Sequence, residues 1–240
     1  MSEWAAKRFW TDAKVVEDEG AFAVRLDGRP VKTPAKAALR VPTRAIAEAI
    51  AAEWQQVDEK IDPAVMPFTR SANAAIDKVS VQFQEVAEML AAYGESDLLC
   101  YRADSPAGLA ERQAERWDPI LDWAHEAFGG RLIPTAGIMP VTQNPKAVAA
   151  LSAPLYAATP FALTALHDLI ALSGSLVLGL AVTQRQLTPD EAWALSRVDE
   201  DWQSEQWGKD DEAEAAAEIK RLAFFHAAVF HDRLADERQG

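Results

Sequence analysis

Cysteine is almost missing from this sequence: Cys100 is the only one among 240 residues. No intramolecular disulfide can form, and a reducing compartment is the natural setting. Set between Leu99 and Tyr101, the thiol is expected to be buried and inert. Histidine is scarce as well, with four in all. His226 and His231 are five residues apart, about 140° around a helix, which is not the i, i+4 pair of a helical zinc site. Glycine-rich cradles for dinucleotides or phosphates do not occur, and neither does C-x-x-C. The acidic runs Asp199-Glu200-Asp201 and Asp210-Asp211-Glu212 lack the alternation and central glycine of a calcium loop. No cofactor or metal is expected.

Positive charge is in short supply, with 24 Lys and Arg against 37 Asp and Glu, for a net charge of −13. Such a chain repels phosphate backbones and anionic headgroups, so nucleic acid is not an expected partner. Long apolar runs are also absent. The longest, Leu169 to Val182, has 14 residues and includes Ser173 and Ser175, short of the roughly 18 to 20 needed to span a bilayer. No membrane insertion is expected. The first ten residues, Met1 to Trp10, show neither a secretory pattern nor an acid-free transit pattern, so the expected location is cytoplasmic.

With 49% hydrophobic and 25% charged residues, the chain has the composition of an ordinary globular protein. Up to about residue 42 it reads as strands. Phe22, Val24 and Leu26 alternate, and Asp27-Gly28 marks a turn. From Thr43 the period changes to that of a helix, with Ile46, Ile50, Trp54 and Val57 on one side. Ala72, Ile76, Val79, Phe83, Val86 and Leu90 then trace a helix of about twenty residues. Arg112 to Phe128 is helical with Pro119 inside it, as one kinked helix or two. Asn144-Pro145, Thr159-Pro160 and Thr188-Pro189 each place a capping side chain before a first-turn proline, and Glu191 completes a capping box with Thr188. The last helix, from Asp210, carries Ile219, Leu222, Ala223, His226 and Phe230 along one side. The expected fold is α+β: a small antiparallel β-rich N-terminal domain over residues 1–75, then a larger, mainly helical domain over 76–240.

Few places suggest chemistry. His167-Asp168 interrupts an apolar helix, but neighbouring helical positions diverge by about 100°, so the pair is not expected to bond side chain to side chain. Ser173, Gly174, Ser175 and Gly179 are small residues that let helices approach closely. The stretch after Thr188 is different. Read as one helix, it puts Leu195, Val198 and Trp202 on one face and Trp193, Ser196, Glu200, Gln203 and Trp207 on another. Large aromatics mixed with Glu200 and Gln203 suit a protein-binding patch. Residues 190–218 hold eleven acids and two bases, a field that would steer a basic partner surface. An enzymatic alternative would use Glu200 as a carboxylate between Trp193 and Trp207 in a hydrolase. A general adaptor is a further alternative.

The run Leu195-Ser196-Arg197-Val198-Asp199-Glu200-Asp201-Trp202-Gln203-Ser204-Glu205-Gln206-Trp207-Gly208 resembles the most distinctive block of the ATP synthase alpha-subunit assembly chaperones. The likeness continues in order through Arg8-Phe9-Trp10, Leu26-Asp27-Gly28-Arg29, Lys32-Thr33-Pro34, Glu53-Trp54-Gln55, Met66-Pro67-Phe68-Thr69, Ala75-Ile76-Asp77, Asp97-Leu98-Leu99-Cys100-Tyr101-Arg102 and Trp117-Asp118-Pro119. The resemblance implies a bacterial-type member that binds the unassembled alpha subunit of the F-type ATP synthase, with no enzymatic activity. It points to Trp193, Glu200, Gln203, Glu205 and Trp207 as partner contacts. Trp54, Met66 and Asp77 are expected to hold the two domains together.

Overall fold

A computed structural model of the chain describes residues 7–137 and 139–235. The fold is α+β, as the sequence pattern predicts. The chain divides into two compact units: Met1–Phe83 with Thr159–Thr164 and Val229–Gly240, and Gln84–Ala158 with Ala165–Ala228.

In the first unit the alternating segment forms β1 (Ala13–Asp18) and β2 (Ala21–Leu26). They pair antiparallel with Val15 opposite Val24. Asp27-Gly28 turns the chain into the short β3 (Arg29–Pro30), and β4 (Arg40–Val41) pairs with the other end of β2. Both turn residues have positive φ, 46° at Asp27 and 84° at Gly28; Asp and Gly are among the residues that tolerate that region best. Asp27 is fixed further by accepting hydrogen bonds from the Thr11 and Asp12 amides at 2.9 Å each.

Helix α1 (Arg44–Gln56) starts on Thr43, whose hydroxyl accepts from Ile46 N, and buries Ile46, Ala47, Ile50 and Ala51. Helix α2 (Pro67–Ala74) begins at Pro67. Its free first-turn amides go to Glu53, whose carboxylate takes Phe68 N at 2.6 Å and Thr69 N at 2.8 Å. The twenty-residue helix expected next is divided: α2 runs into a π turn over Ala75–Val79, and α3 (Phe83–Ala91) follows. The chain between 158 and 165, and the end of the last helix, complete this unit. Phe161 and Phe68 both pack on Phe230, with ring centroids 6.4 and 6.1 Å away.

Trp54, Met66 and Asp77 all belong to the first unit. Trp54 packs against Trp10 at 5.2 Å, Met66 is buried, and Asp77 accepts the Ala35 amide at 3.0 Å.

In the second unit, a 3-10 turn (Leu98–Cys100) leads to β5 (Tyr101–Arg102), which pairs in parallel with β6 (Thr135–Ala136). Between them, α4 (Ala107–Phe128) is a single helix that accommodates Pro119 and ends on left-handed Gly129. Next comes α5 (Pro145–Tyr156), capped by Asn144; α6 (Pro160–Ser173) has its first turn in the first unit, with Ala162 N bonded to the Thr159 hydroxyl, and belongs to the second from Ala165 onward. Helix α7 (Leu176–Thr183) is buried throughout its first seven residues. At Gly179 a side chain would collide with Ile170 of α6, which accounts for the small residue there.

Asp97 is fully buried and joins two segments, accepting Leu99 N at 3.0 Å and Val177 N at 3.1 Å. Cys100 beside it is buried, and that burial pushes its thiol up to about 12.

The remaining helices are α8 (Pro189–Ser196), α9 (Val198–Trp207) and α10 (Asp211–Asp232). The predicted capping box of Thr188 and Glu191 is present. Two expectations need correction. His167 Nδ1 and Asp168 Oδ1 do meet, at 2.8 Å, because two half-exposed side chains can bend toward each other despite the angle between their Cβ directions. On α10 the side facing the core of this unit carries Phe224, Ala227 and Ala228, while Ile219 and Leu222 are exposed. The helix has apolar residues on more than one side, and periodicity alone cannot choose between them.

Candidate functional site

The segment after Thr188 is two helices, not one. Arg197, at φ −112° and ψ 9°, separates α8 from α9. The break turns the expected two-stripe helix into a wall and a floor. Trp193 on α8, Glu200, Gln203 and Trp207 on α9, and Glu214 and Glu218 on α10 line one groove of about 820 Å³. Four of the five expected contact residues therefore share one surface.

Each is placed by a local cause. Trp193 is half-buried, its ring packed 5.7 Å from Phe224 beneath it and 6.0 Å from the Arg197 guanidinium. Arg197 also donates to Glu200 at 2.8 Å. Glu200 and Gln203 are exposed on the next turn. Trp207 is 79% exposed, an unusual cost for the largest apolar side chain. The helix stops there because Gly208 takes φ 91°. Asp210 then caps α10 by accepting Glu212 N and Ala213 N. The acids on the groove outnumber its bases, and both bases are engaged, Arg197 with Glu200 and Lys209 with Glu214 at 2.7 Å.

Glu205, the fifth expected contact, lies elsewhere. It receives both Nη atoms of Arg112 from α4, each at 2.8 Å. This hydrogen-bonded guanidinium holds the Glu205 carboxyl below the usual range. Arg112 also lies 4.6 Å over the ring of Trp202, and that ring packs so close to Gly108 that a side chain there would meet it. Two further ties hold the same block to α4. Gln113 is buried and donates to Asp199 at 2.6 Å, and Trp117 Nε1 donates to the Leu195 carbonyl at 2.9 Å. The block thus splits by face: Leu195 at the end of α8 and Asp199, Trp202 and Glu205 on α9 are tied to α4, and Trp193, Glu200, Gln203 and Trp207 face the groove.

Sequence reasoning did not single out Asp201, Glu214 and Glu218 as part of the groove. The acid excess over 190–218 was the only signal for them. Which of those acids share a surface depends on the reversal at Gly208. Among the described residues no three His, Cys, Asp or Glu side chains gather as a metal site, and no helix is long and apolar enough to cross a membrane.

A family model described as the ATP12 chaperone protein matches residues 7–125. A crystal structure of Atp12 from Paracoccus denitrificans is 50% identical, covers 97% of this chain and all of its own, and superposes with a TM-score of 0.94. A solved structure from Agrobacterium tumefaciens is 44% identical over 94% of this chain and 84% of its own, with a TM-score of 0.89. The mitochondrial protein atp12 of Schizosaccharomyces pombe is 23% identical over 219 residues, 86% of this chain and 75% of that protein. The chain belongs to the ATP12 chaperone family, the family of ATP synthase assembly chaperones that its sequence blocks resemble.

Proposed function

We propose that this protein binds the unassembled alpha subunit of the F-type ATP synthase and shields its beta-facing surface until the catalytic head is built. The observation that carries the reading is the groove itself: two tryptophans, one half-buried and one largely exposed, set among acids. Aromatic anchors within a polar rim are the composition of protein-binding hot spots. An alpha subunit waiting for beta exposes apolar surface that aggregates unless covered. A cover with net charge −13 keeps the complex soluble.

In this reading Trp193, Glu200, Gln203 and Trp207 touch the client, and Glu205 acts indirectly by holding α9 in place. Release follows by mass action when beta competes for the same surface. The setting is the bacterial cytoplasm.

The test is capture against separately produced alpha and beta subunits, with the fraction of alpha remaining soluble as the second readout. Selective capture and solubilisation of alpha is the expected result. Equal or absent binding of the two would return the protein to the reading of a general adaptor.

A further inference from the structure

The helical unit has a second groove that the preceding reading leaves unused. It lies between the end of α3 and the outer face of α5 and has a volume of about 680 Å³. Its floor is built from small residues, Ala91 on one side and Ala149, Ala153 and Ala157 on the other. Small side chains at helical spacing let another helix approach with its backbone unusually close.

Ser152 sets this floor apart from an ordinary alanine-rich surface. It lines the groove, is 2% exposed, and its Oγ has no hydrogen-bond partner among the described residues. A helical serine ordinarily bonds back to a carbonyl one turn earlier, as Ser173 does to Leu169 O at 2.6 Å. A shielded hydroxyl left unpaired carries a desolvation penalty that a polar atom on an occupant would relieve.

The rim fixes the sign of that occupant. Glu95 lines the groove and is exposed. Tyr156 stands half-exposed on the opposite wall.

We infer that this groove is a second docking site for the same client, and that it takes an amphipathic helix. The helix places large aliphatic side chains on the alanine floor, a polar group at Ser152, and a Lys or Arg beside Glu95. This rests on the alpha-subunit reading above. It adds that the chaperone holds its client at two separate surfaces, which multiplies affinity without requiring either site to be strong.

The deciding experiment places a photo-crosslinking residue at Ala153 in the full chain, and separately at Trp207, and exposes each protein to purified alpha subunit. Cross-links from both positions, with the Ala153 product mapping to a basic amphipathic helix of alpha, are expected. Capture from position 207 alone overturns the second site and leaves the client intact. A cross-link from 153 to a second copy of the chaperone makes the groove a self-association surface instead. Failure at both positions removes alpha as the client, and this inference with it.

Affinity measurements give the second arm. Ala149→Trp, which fills the groove from an exposed position, and Glu95→Lys, which reverses its rim, should each weaken alpha binding by about tenfold. Thermal midpoints should stay near that of the parent chain. Unchanged affinity in both variants overturns the proposal.

Discussion

Arg112 and Glu205 bond through both guanidinium Nη atoms, and this places Glu205 on the α4 side of α9, away from the groove that Glu200 lines. The two glutamates stand five residues apart in one motif and lie on different faces. Glu205→Gln should leave client affinity near that of the parent protein, whereas Glu200→Lys should weaken it by about tenfold or more, since charge reversal in a binding surface is costly. Titration calorimetry with purified alpha subunit separates the two. Equal losses would place both residues at the interface.

Trp207 should behave as a binding residue with no structural duty. It is 79% exposed, so Trp207→Ala should leave the thermal midpoint unchanged while reducing alpha capture by about tenfold or more, as truncating an aromatic hot spot does. A fall in midpoint comparable to that of a core variant would show that the ring is packed in solution.

Trp117 provides the opposite case. It is fully buried and donates Nε1–H to Leu195 O at 2.9 Å, tying α4 to the end of α8. Trp117→Phe leaves a cavity and an unpaired carbonyl, and should cost about 2 to 4 kcal/mol in urea denaturation. Because α8 carries Trp193, client affinity should drop as well.

Asp97 should make stability depend on pH in an unusual direction. Burial pushes its carboxyl up to about 6, against amide donors that favour the anion. The folded chain therefore holds this proton more tightly than the unfolded chain, whose carboxyl titrates near 3.8. Its contribution to stability is complete below that lower value and is lost as the pH rises through about 6. Thermal unfolding between pH 4.5 and 7.5 should show a decline that Asp97→Asn flattens. The same slope in both proteins would mean that the carboxyl titrates normally.

Cys100 should resist modification. Its thiol is buried and pushed up to about 12, so an aromatic disulfide reagent at pH 8 should react only after denaturant is added. Rapid labelling of the native protein would show that the 3-10 turn around it opens readily.

Much of the molecule could be read from local patterns. The β2 alternation, the turn at Asp27-Gly28, the proline-led caps of α5, α6 and α8, and the burial of Cys100 each depend on a few neighbouring residues. Such features are decided by backbone preferences and by the contrast of apolar and polar side chains. The motif blocks carried the family, because their order along the chain is preserved whatever each residue does.

The faces and partners of those elements were decided only in three dimensions. Nothing local distinguishes Ile219 and Leu222 from Phe224 on α10, yet the first two are exposed and the third is in the core. Gln113 lies 86 residues from the Asp199 it fixes, and Arg112 lies 93 from Glu205. The break at Arg197 and the reversal at Gly208 gather Trp193, Trp207 and Glu218 on one groove. The sequence by itself determined which segments coil, pair or turn, because those choices are made within a few residues. Tertiary structure decided which side of each helix packs inward and which stays exposed, because that depends on how well side chains distant in sequence fill the same space.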